Sequence, residues 1–455
     1  MIVMFACQFA GLKITLVNPV YLDHELQHTL QLTTPKYVFI ESQHLGKFQA
    51  NKWDETTLIR MDEGTPETKQ LHSVSALTDT EADVATAKAV QPVSLDEVAF
   101  LCFSSGTTGL PKAVQITHNN TACMMHTLNS IPGAWKFDPL KSVCFLPFFH
   151  AFGLQTGALL STHNRGTMHL CTPFTPQKFV QIIETERVEM TGVSPPLVAA
   201  LCTVPGLRPD QFKSLRFMIS GGAALDAANQ KRCMDRLQVP ICQGWGMSEL
   251  CVANCGIGFN QTYGSVGWLM PGVKARIVDE KMQDVPVGER GELLINSGTV
   301  MKGYYKNEAA NQATFHEPGR WLRTGDLVTV DANGELWIID RIKEVIKVGS
   351  YQVPPAELEG ILKTHPKVRL AAVVGVQNKR DLTEMPRAYI ELRPEVTDAH
   401  PELIKDIDHF LSSQTSDYKH LTGGIKIIPS VPVSATGKVV RKDIRKMAAE
   451  DPDLQ

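Results

Sequence analysis

The sequence predicts a multidomain α/β and α+β protein. A large N-terminal domain of parallel sheets flanked by helices carries a small β subdomain, and a small α+β domain follows it. Three observations predict this. Between residues 98 and 280, short apolar runs (VAFLCF, SVCFLPF, TMHLCT, VEMTGV, LRFMIS) alternate with helix-like stretches such as 176–185 and 224–237, the pattern of mostly parallel strands with helical crossovers. From 264 to 340 the runs become short and β-like (KARIVD, GELLIN, DLVTVD, GELWIID) with Gly, Asp and Asn between them, which reads as antiparallel hairpins, one turning at 331–334. After Arg341 a compact segment offers helices near 355–364 and 401–412 and strands near 370–376 and 387–392.

The first forty residues read as a buried helix, a strand at 14–17, a helix opened by Asp23 and a strand at 37–40, a βαβ-like order. Residues 44–92 are polar and read as a variable surface segment without chemistry. The apolar start MIVMFACQFAGL lacks a basic n-region and is too short to span a bilayer, so neither a signal peptide nor an integral membrane segment is expected. The chain has 455 residues, 43% hydrophobic and 20% charged, with a formal net charge of −3. That size allows a large core, and the charge supplies no field to gather nucleic acid or an anionic membrane. Ten cysteines follow no disulfide or zinc spacing, so reduced thiols in the cytoplasm are expected. The C-terminal PDLQ is not a peroxisomal signal.

The strongest local motif is SSGTTGLPKAV, residues 104–114, directly after the strand-like VAFLCF. Small hydroxylated residues and glycines (Ser104, Ser105, Gly106, Thr107, Thr108, Gly109) let backbone N–H groups and hydroxyls wrap phosphate oxygens, and Lys112 adds charge. It is not the Walker pattern, and alone it would also serve as a flexible Ser/Gly turn.

Six further motifs follow in order: LPFFHAFGL, SGGAAL, QGWGMSE, RTGDL, DRIKEVIK and PVSATGKVVRK. Together the seven resemble the adenylate-forming superfamily of acyl-CoA synthetases, 4-coumarate-CoA ligases, luciferases and peptide-synthetase adenylation domains, over nearly the whole chain. The resemblance implies ATP-dependent activation of a small carboxylic acid to an acyl adenylate and transfer to coenzyme A, with Mg2+ as metal and a carrier-protein thiol as the alternative acceptor. It implies an AMP-binding domain over 1–341 and a mobile lid over 342–455. By the same resemblance Gly222, Gln243 and Gly244 frame the adenine, Ser248 touches the α-phosphate and Glu249 holds the metal. A hard dication needs such a carboxylate beside the phosphates it bridges; without the family match Glu249 is a solvated helix-start residue. Asp326 and Arg341 meet the ribose. Lys438 is the catalytic lysine, brought to the charge that develops at the α-phosphate. His150 gates an acyl pocket lined by Phe152, Val193, Ser194, Gly222, Trp245 and Met247, which suits an apolar acid. Lys343 lies near the hinge pivot, with Lys347, Gly349 and Ser350 on the coenzyme A side.

Three departures from the family stand out. The glycine after the hinge strand is displaced by one, placing Ser350 where it would crowd the pantetheine path. Pro173 stands near the position of a basic residue that meets the coenzyme A phosphate. The stretch that family members carry before the position of Phe5 is missing, which leaves apolar faces uncovered. These departures favour a second reading, a non-catalytic truncated homologue, against which Lys112, Glu249, Asp326, Arg341 and Lys438 all stand. A remote third reading is a zinc metalloprotease, because His24, Glu25 and His28 spell HELQH; the metzincin continuation is absent.

Overall fold

The computed structural model describes residues 1–49, 58–62, 72–78, 93–104, 111–131, 140–256, 261–348, 351–377, 384–396, 401–434 and 437–454. Its largest sheet has seven strands, in the order Trp268–Leu269, Asn254–Cys255, Ile241–Trp245, Phe217–Ser220, Met190–Val193, Lys141–Cys144 and Thr167–Leu170. The last five are parallel and the first two add as an antiparallel edge. Helices Pro176–Glu186, Pro195–Leu201 and Ala227–Leu237 cover one face and close a core around Phe179, Ile183, Leu201, Phe212 and Met218, all fully buried. The first helix starts as the sequence directs: Thr175 accepts the Lys178 N–H at 3.1 Å and Pro176 occupies the first turn, where its missing N–H costs nothing.

A four-stranded sheet holds Ile14–Thr15, Val98–Ser104, Lys112–Thr117 and Gly303–Tyr304. Here the expectation of parallel pairing fails. Val98–Ser104 and Lys112–Thr117 form an antiparallel pair with Ser104 directly opposite Lys112, because the short connection between them cannot make a crossover. The βαβ expectation for the first forty residues also fails, since Ile14–Thr15 joins this sheet and Val38–Ile40 joins another with Leu58–Arg60 and His72–Ser73. Nor is 44–92 wholly a surface segment: Leu58, Ile59 and Arg60 are buried. A three-residue strand is too short for the alternation by which strands are read.

The region 274–341 is an antiparallel sheet built on the long strand Trp321–Val330, as expected. The turn at 331–334 is closed by the Gly334 N–H on the Asp331 carbonyl at 3.1 Å, with Gly334 at φ +81°. In the C-terminal part, Val368–Gln377 and Glu384–Leu392 pair antiparallel and Ile425–Ile427 adds parallel. Alternate residues divide between two cores. Ala371 and Val373 face helices Pro355–Thr364 and Pro401–Ser412, while Ala372, Val374 and Val376 face helix Arg441–Ala449. None of the described helices is long and apolar enough to cross a membrane, and all ten cysteines are free.

Candidate active site

Parallel strands leave their ligand-binding crevice beyond their carboxyl ends, and the predicted residues gather there. Lys141–Cys144 runs out toward His150, Met190–Val193 into Ser194, Phe217–Ser220 into Gly221 and Gly222, and Ile241–Trp245 into Met247, Ser248 and Glu249. The register sets Val193, Ser220 and Gln243 side by side.

His150 is half-buried. Its Nδ1 accepts the Phe152 N–H at 3.3 Å, so the neutral ring carries its proton on Nε2. Burial, and then the charge of Lys438, press its pKa below the ordinary value, since both disfavour the imidazolium. A π-helical stretch, Gly153–Leu159, follows at once; such stretches concentrate at functional sites. Gly153 is required here because a Cβ would collide with the Pro147 carbonyl. The Phe152 ring lies over Gly192 and Gly221, where added Cβ atoms would sit 3.1 and 3.4 Å from it. Val193 and Ser194 are buried beside it.

Gly222 has φ +84° and meets open space on its Cβ side, as a flat surface for a ring requires. Gln243 differs from what its sequence role suggests. Its Oε1 accepts the Leu225 N–H at 3.1 Å and its Nε2 donates to Gln230 at 3.2 Å, so it braces the floor and offers a ligand little beyond its backbone. Gln261, which nothing in the local sequence marks, grips the same backbone through N–H and carbonyl at 2.7 and 3.2 Å.

Asp326 is 2% exposed. It stands directly across an antiparallel ladder from Arg341, and the pair closes Nε to Oδ1 at 2.5 Å. The Trp245 indole N–H donates to its other oxygen at 3.0 Å. Trp245, read from sequence as acyl-pocket lining, thus commits its polar atom to Asp326. Burial raises the Asp326 pKa, while Arg341, Lys438 and the Trp245 bond oppose the rise.

Lys438 arrives from the C-terminal part on a turn in which the Lys438 N–H meets Ser434 Oγ at 3.2 Å and the Ser434 N–H meets the Lys438 carbonyl at 2.8 Å. Gly437, at φ +80°, rests on Pro196 so closely that a Cβ would run into the proline ring. Lys438 keeps exposed surface, while the protein atoms around it disfavour its charge. Burial and then Arg341 push its pKa down, against the pull of Asp326.

Glu249 is 6% exposed and accepts the Tyr304 hydroxyl at 2.8 Å through Oε1; Oε2 has no hydrogen bond among the described residues. The Lys112 ammonium sits 4.9 Å from the centre of the Tyr304 ring. Tyr304 was invisible in the sequence because its two-residue strand shows no period and the groups its side chain meets, Glu249 and Lys112, lie 55 and 192 positions away. Ser105, Gly106, Thr107, Thr108 and Gly109 of the phosphate loop, and Gly349 and Ser350 of the hinge, lie outside the described residues. Lys343 and Lys347 are exposed and stand apart from this cluster in their bonding: the Lys343 carbonyl accepts Arg445 at 3.3 Å and the Lys347 N–H donates to Glu384 at 2.6 Å. The HELQH groups are otherwise engaged: Glu25 accepts the Leu22 N–H at 2.9 Å, and His28 Nε2 lies 3.1 Å from the Pro111 carbonyl.

The sequence profile of the AMP-binding enzyme family matches residues 1–305, and that of the AMP-binding enzyme C-terminal domain matches 357–438. The chain is 33% identical to a probable 4-coumarate–CoA ligase 3 of Dictyostelium discoideum, over 95% of this chain and 80% of that one. It is 34% identical to 4-coumarate–CoA ligase 3 of Arabidopsis thaliana, over 96% and 77%, and 31% identical to a phenylacetyl-CoA ligase of Aspergillus niger, over 93% and 80%. The fold is shared with ATP-bound MatB from Rhodopseudomonas palustris, at TM-score 0.85 and 23% identity over 100% of this chain and 87% of that one. It is also shared with a benzoate CoA ligase from Burkholderia xenovorans, at TM-score 0.84 and 23% identity over 97% and 86%.

Proposed function

The chain belongs to the AMP-binding enzyme family, and on that premise we propose that it activates a carboxylic acid with ATP and passes the acyl group to coenzyme A. In the first step a carboxylate oxygen attacks the α-phosphorus, the bond from that phosphorus to the α,β-bridging oxygen breaks and pyrophosphate leaves. In the second, a thiol sulfur attacks the acyl carbonyl, loses its proton, and AMP departs with the bonding pair. The observation that carries this reading is Gly437 seated against Pro196, which brings the neighbouring Lys438 close enough to Asp326, Arg341 and His150 for their charges to act on one another.

Within that reading Asp326 and Arg341 hold the ribose, Gly222, Gln243 and Gly244 offer backbone to the adenine, and Ser248 meets the α-phosphate. Ser104 to Gly109 and Lys112 take the distal phosphates. Lys438 supplies positive charge where the attacked phosphate becomes more negative. His150, neutral and oriented by the Phe152 N–H, borders an acyl pocket of Phe152, Val193, Ser194 and Met247, whose walls suit an apolar acid. The free oxygen of Glu249, a hard donor, fits Mg2+, which when bound neutralises charge on the phosphates it bridges. The body 1–341 and lid 342–455 pivot near Lys343, with Lys347, Gly349 and Ser350 assigned to the thiol step. The setting is cytoplasmic.

Pyrophosphate–ATP exchange over a panel of aromatic and aliphatic acids tests the first step. Acid-dependent exchange that disappears in Lys438→Ala supports it, and no exchange with any acid in folded protein refutes it. Offering coenzyme A against a pantetheine-bearing carrier protein then separates the two acceptors.

A further inference from the structure

One residue outside the predicted site joins two of its parts. The segment 301–305 is stitched to the strand Lys112–Thr117 by the Lys302 N–H on the Gln115 carbonyl at 2.9 Å and the Tyr305 N–H on the Ala113 carbonyl at 2.8 Å. It is stitched to the QGWGMSE loop by the Met301 N–H on the Glu249 carbonyl at 2.8 Å. Tyr304 itself is pinned by Asn311, whose side chain accepts its N–H at 2.6 Å and donates to its carbonyl at 3.2 Å. From that anchored position the phenol does two things. Its hydroxyl donates to Glu249 Oε1 at 2.8 Å. Its ring face carries the Lys112 ammonium at 4.9 Å.

Resting on the nucleotide reading above, we propose that Tyr304 is a positioning residue for the phosphate end of the site: it orients the Glu249 carboxylate for a divalent cation and seats Lys112 for the phosphates. The geometry leaves few other roles for the hydroxyl. One oxygen of a buried carboxylate is fixed by the phenol, which turns the other toward the cleft. Partners that orient a metal-binding carboxylate govern affinity although they never touch the metal. The ring adds a second constraint, since a cation over an aromatic face loses freedom and gains attraction. Tyr304 therefore lets the phosphate-loop lysine and the metal carboxylate, 137 positions apart in the sequence, move as one unit.

Calorimetric binding of ATP in Mg2+ and in EDTA, on Y304F, Y304L, E249Q and Y304F/E249Q, reads this directly. In Mg2+, Y304F weakens ATP binding by about ten- to a hundredfold, while binding in EDTA stays within about twofold of wild type. Y304L, which also removes the ring, loses a further two- to tenfold or so in both conditions. Adding Y304F to E249Q changes nothing further. Equal weakening of Y304F with and without Mg2+ means a packing role and overturns the proposal, as does full Mg2+-dependent affinity in Y304F beside its loss in E249Q. If E249Q itself keeps the Mg2+ effect, the assignment of Glu249 fails and the proposal falls with its premise.

Discussion

Asp326 and Lys438 bring opposite charges to one cleft and are held in opposite ways. The carboxylate is 2% exposed and fixed by two partners, Arg341 at 2.5 Å and Trp245 at 3.0 Å, on a ladder where each strand sets the other's register. The lysine makes no ion pair among the described residues and depends on a turn, a glycine at φ +80° and one contact with Pro196. The first charge is built into the sheet and the second is delivered to it. A delivered charge costs little to withdraw, which suits the proposed lid and its two successive half-reactions.

The comparison breaks most sharply at the turn. Gly437→Val should lower pyrophosphate exchange by about two to three powers of ten, near the effect of removing Lys438, while thermal melting moves little. The added side chain blocks the seat on Pro196 and strains a left-handed residue. If exchange survives, the seating seen here is not the one that serves adenylation.

On the side of Lys438, Arg441→Ala should cost about 3–5 kcal/mol of stability in urea denaturation. The Arg441 side chain is 13% exposed and lies between Glu359 at 2.6 Å and Glu344 at 3.4 Å, and its loss removes a shared countercharge from two buried carboxylates. This pairing ties the helix after Lys438 to residues 344 and 359. Arg445→Ala, whose 3.4 Å bond to Glu344 is more open to solvent, should cost no more than about 1 kcal/mol.

Trp245→Phe keeps the ring but takes one partner from Asp326, a loss of about 1–3 kcal/mol for a buried acceptor. It should appear in the KM for ATP and spare the KM for the acid; the reverse would return Trp245 to the acyl pocket. The pH profile sharpens the contrast further. Lys438, with its pKa lowered by burial and Arg341, loses its charge as pH rises through that lowered value, so exchange should decline on the alkaline side before an ordinary lysine would titrate. Asp326, with its pKa raised by burial, is protonated as pH falls through a value above the usual 3.8, so ATP affinity should fade early on the acid side. Trp245→Phe should move only that acid limb, upward.

What could be read beforehand follows how locally each feature is encoded. The helices at 176, 355 and 401 were legible because their period, prolines and flanking turns lie within a dozen residues. The motif residues His150, Gly222, Asp326 and Lys438 were legible because each stands in a short motif that is read from its near neighbours. Only the folded chain shows that the Gln243 side chain is taken up by Leu225 and Gln230, because those partners lie 18 and 13 positions away. Leu58–Arg60 was missed because three residues carry no usable period.

By itself the sequence determined the fold class, the order of the motifs and most of the polar residues at the cleft, since periodicity, turn residues and motif spacing are properties of neighbours along the chain. Tertiary structure alone decided that Trp245 serves Asp326, that Gly437 fits against Pro196 and that Tyr304 links Lys112 to Glu249. Each depends on residues tens to hundreds of positions apart brought within a few ångströms, and no local pattern records which distant partner a side chain will meet.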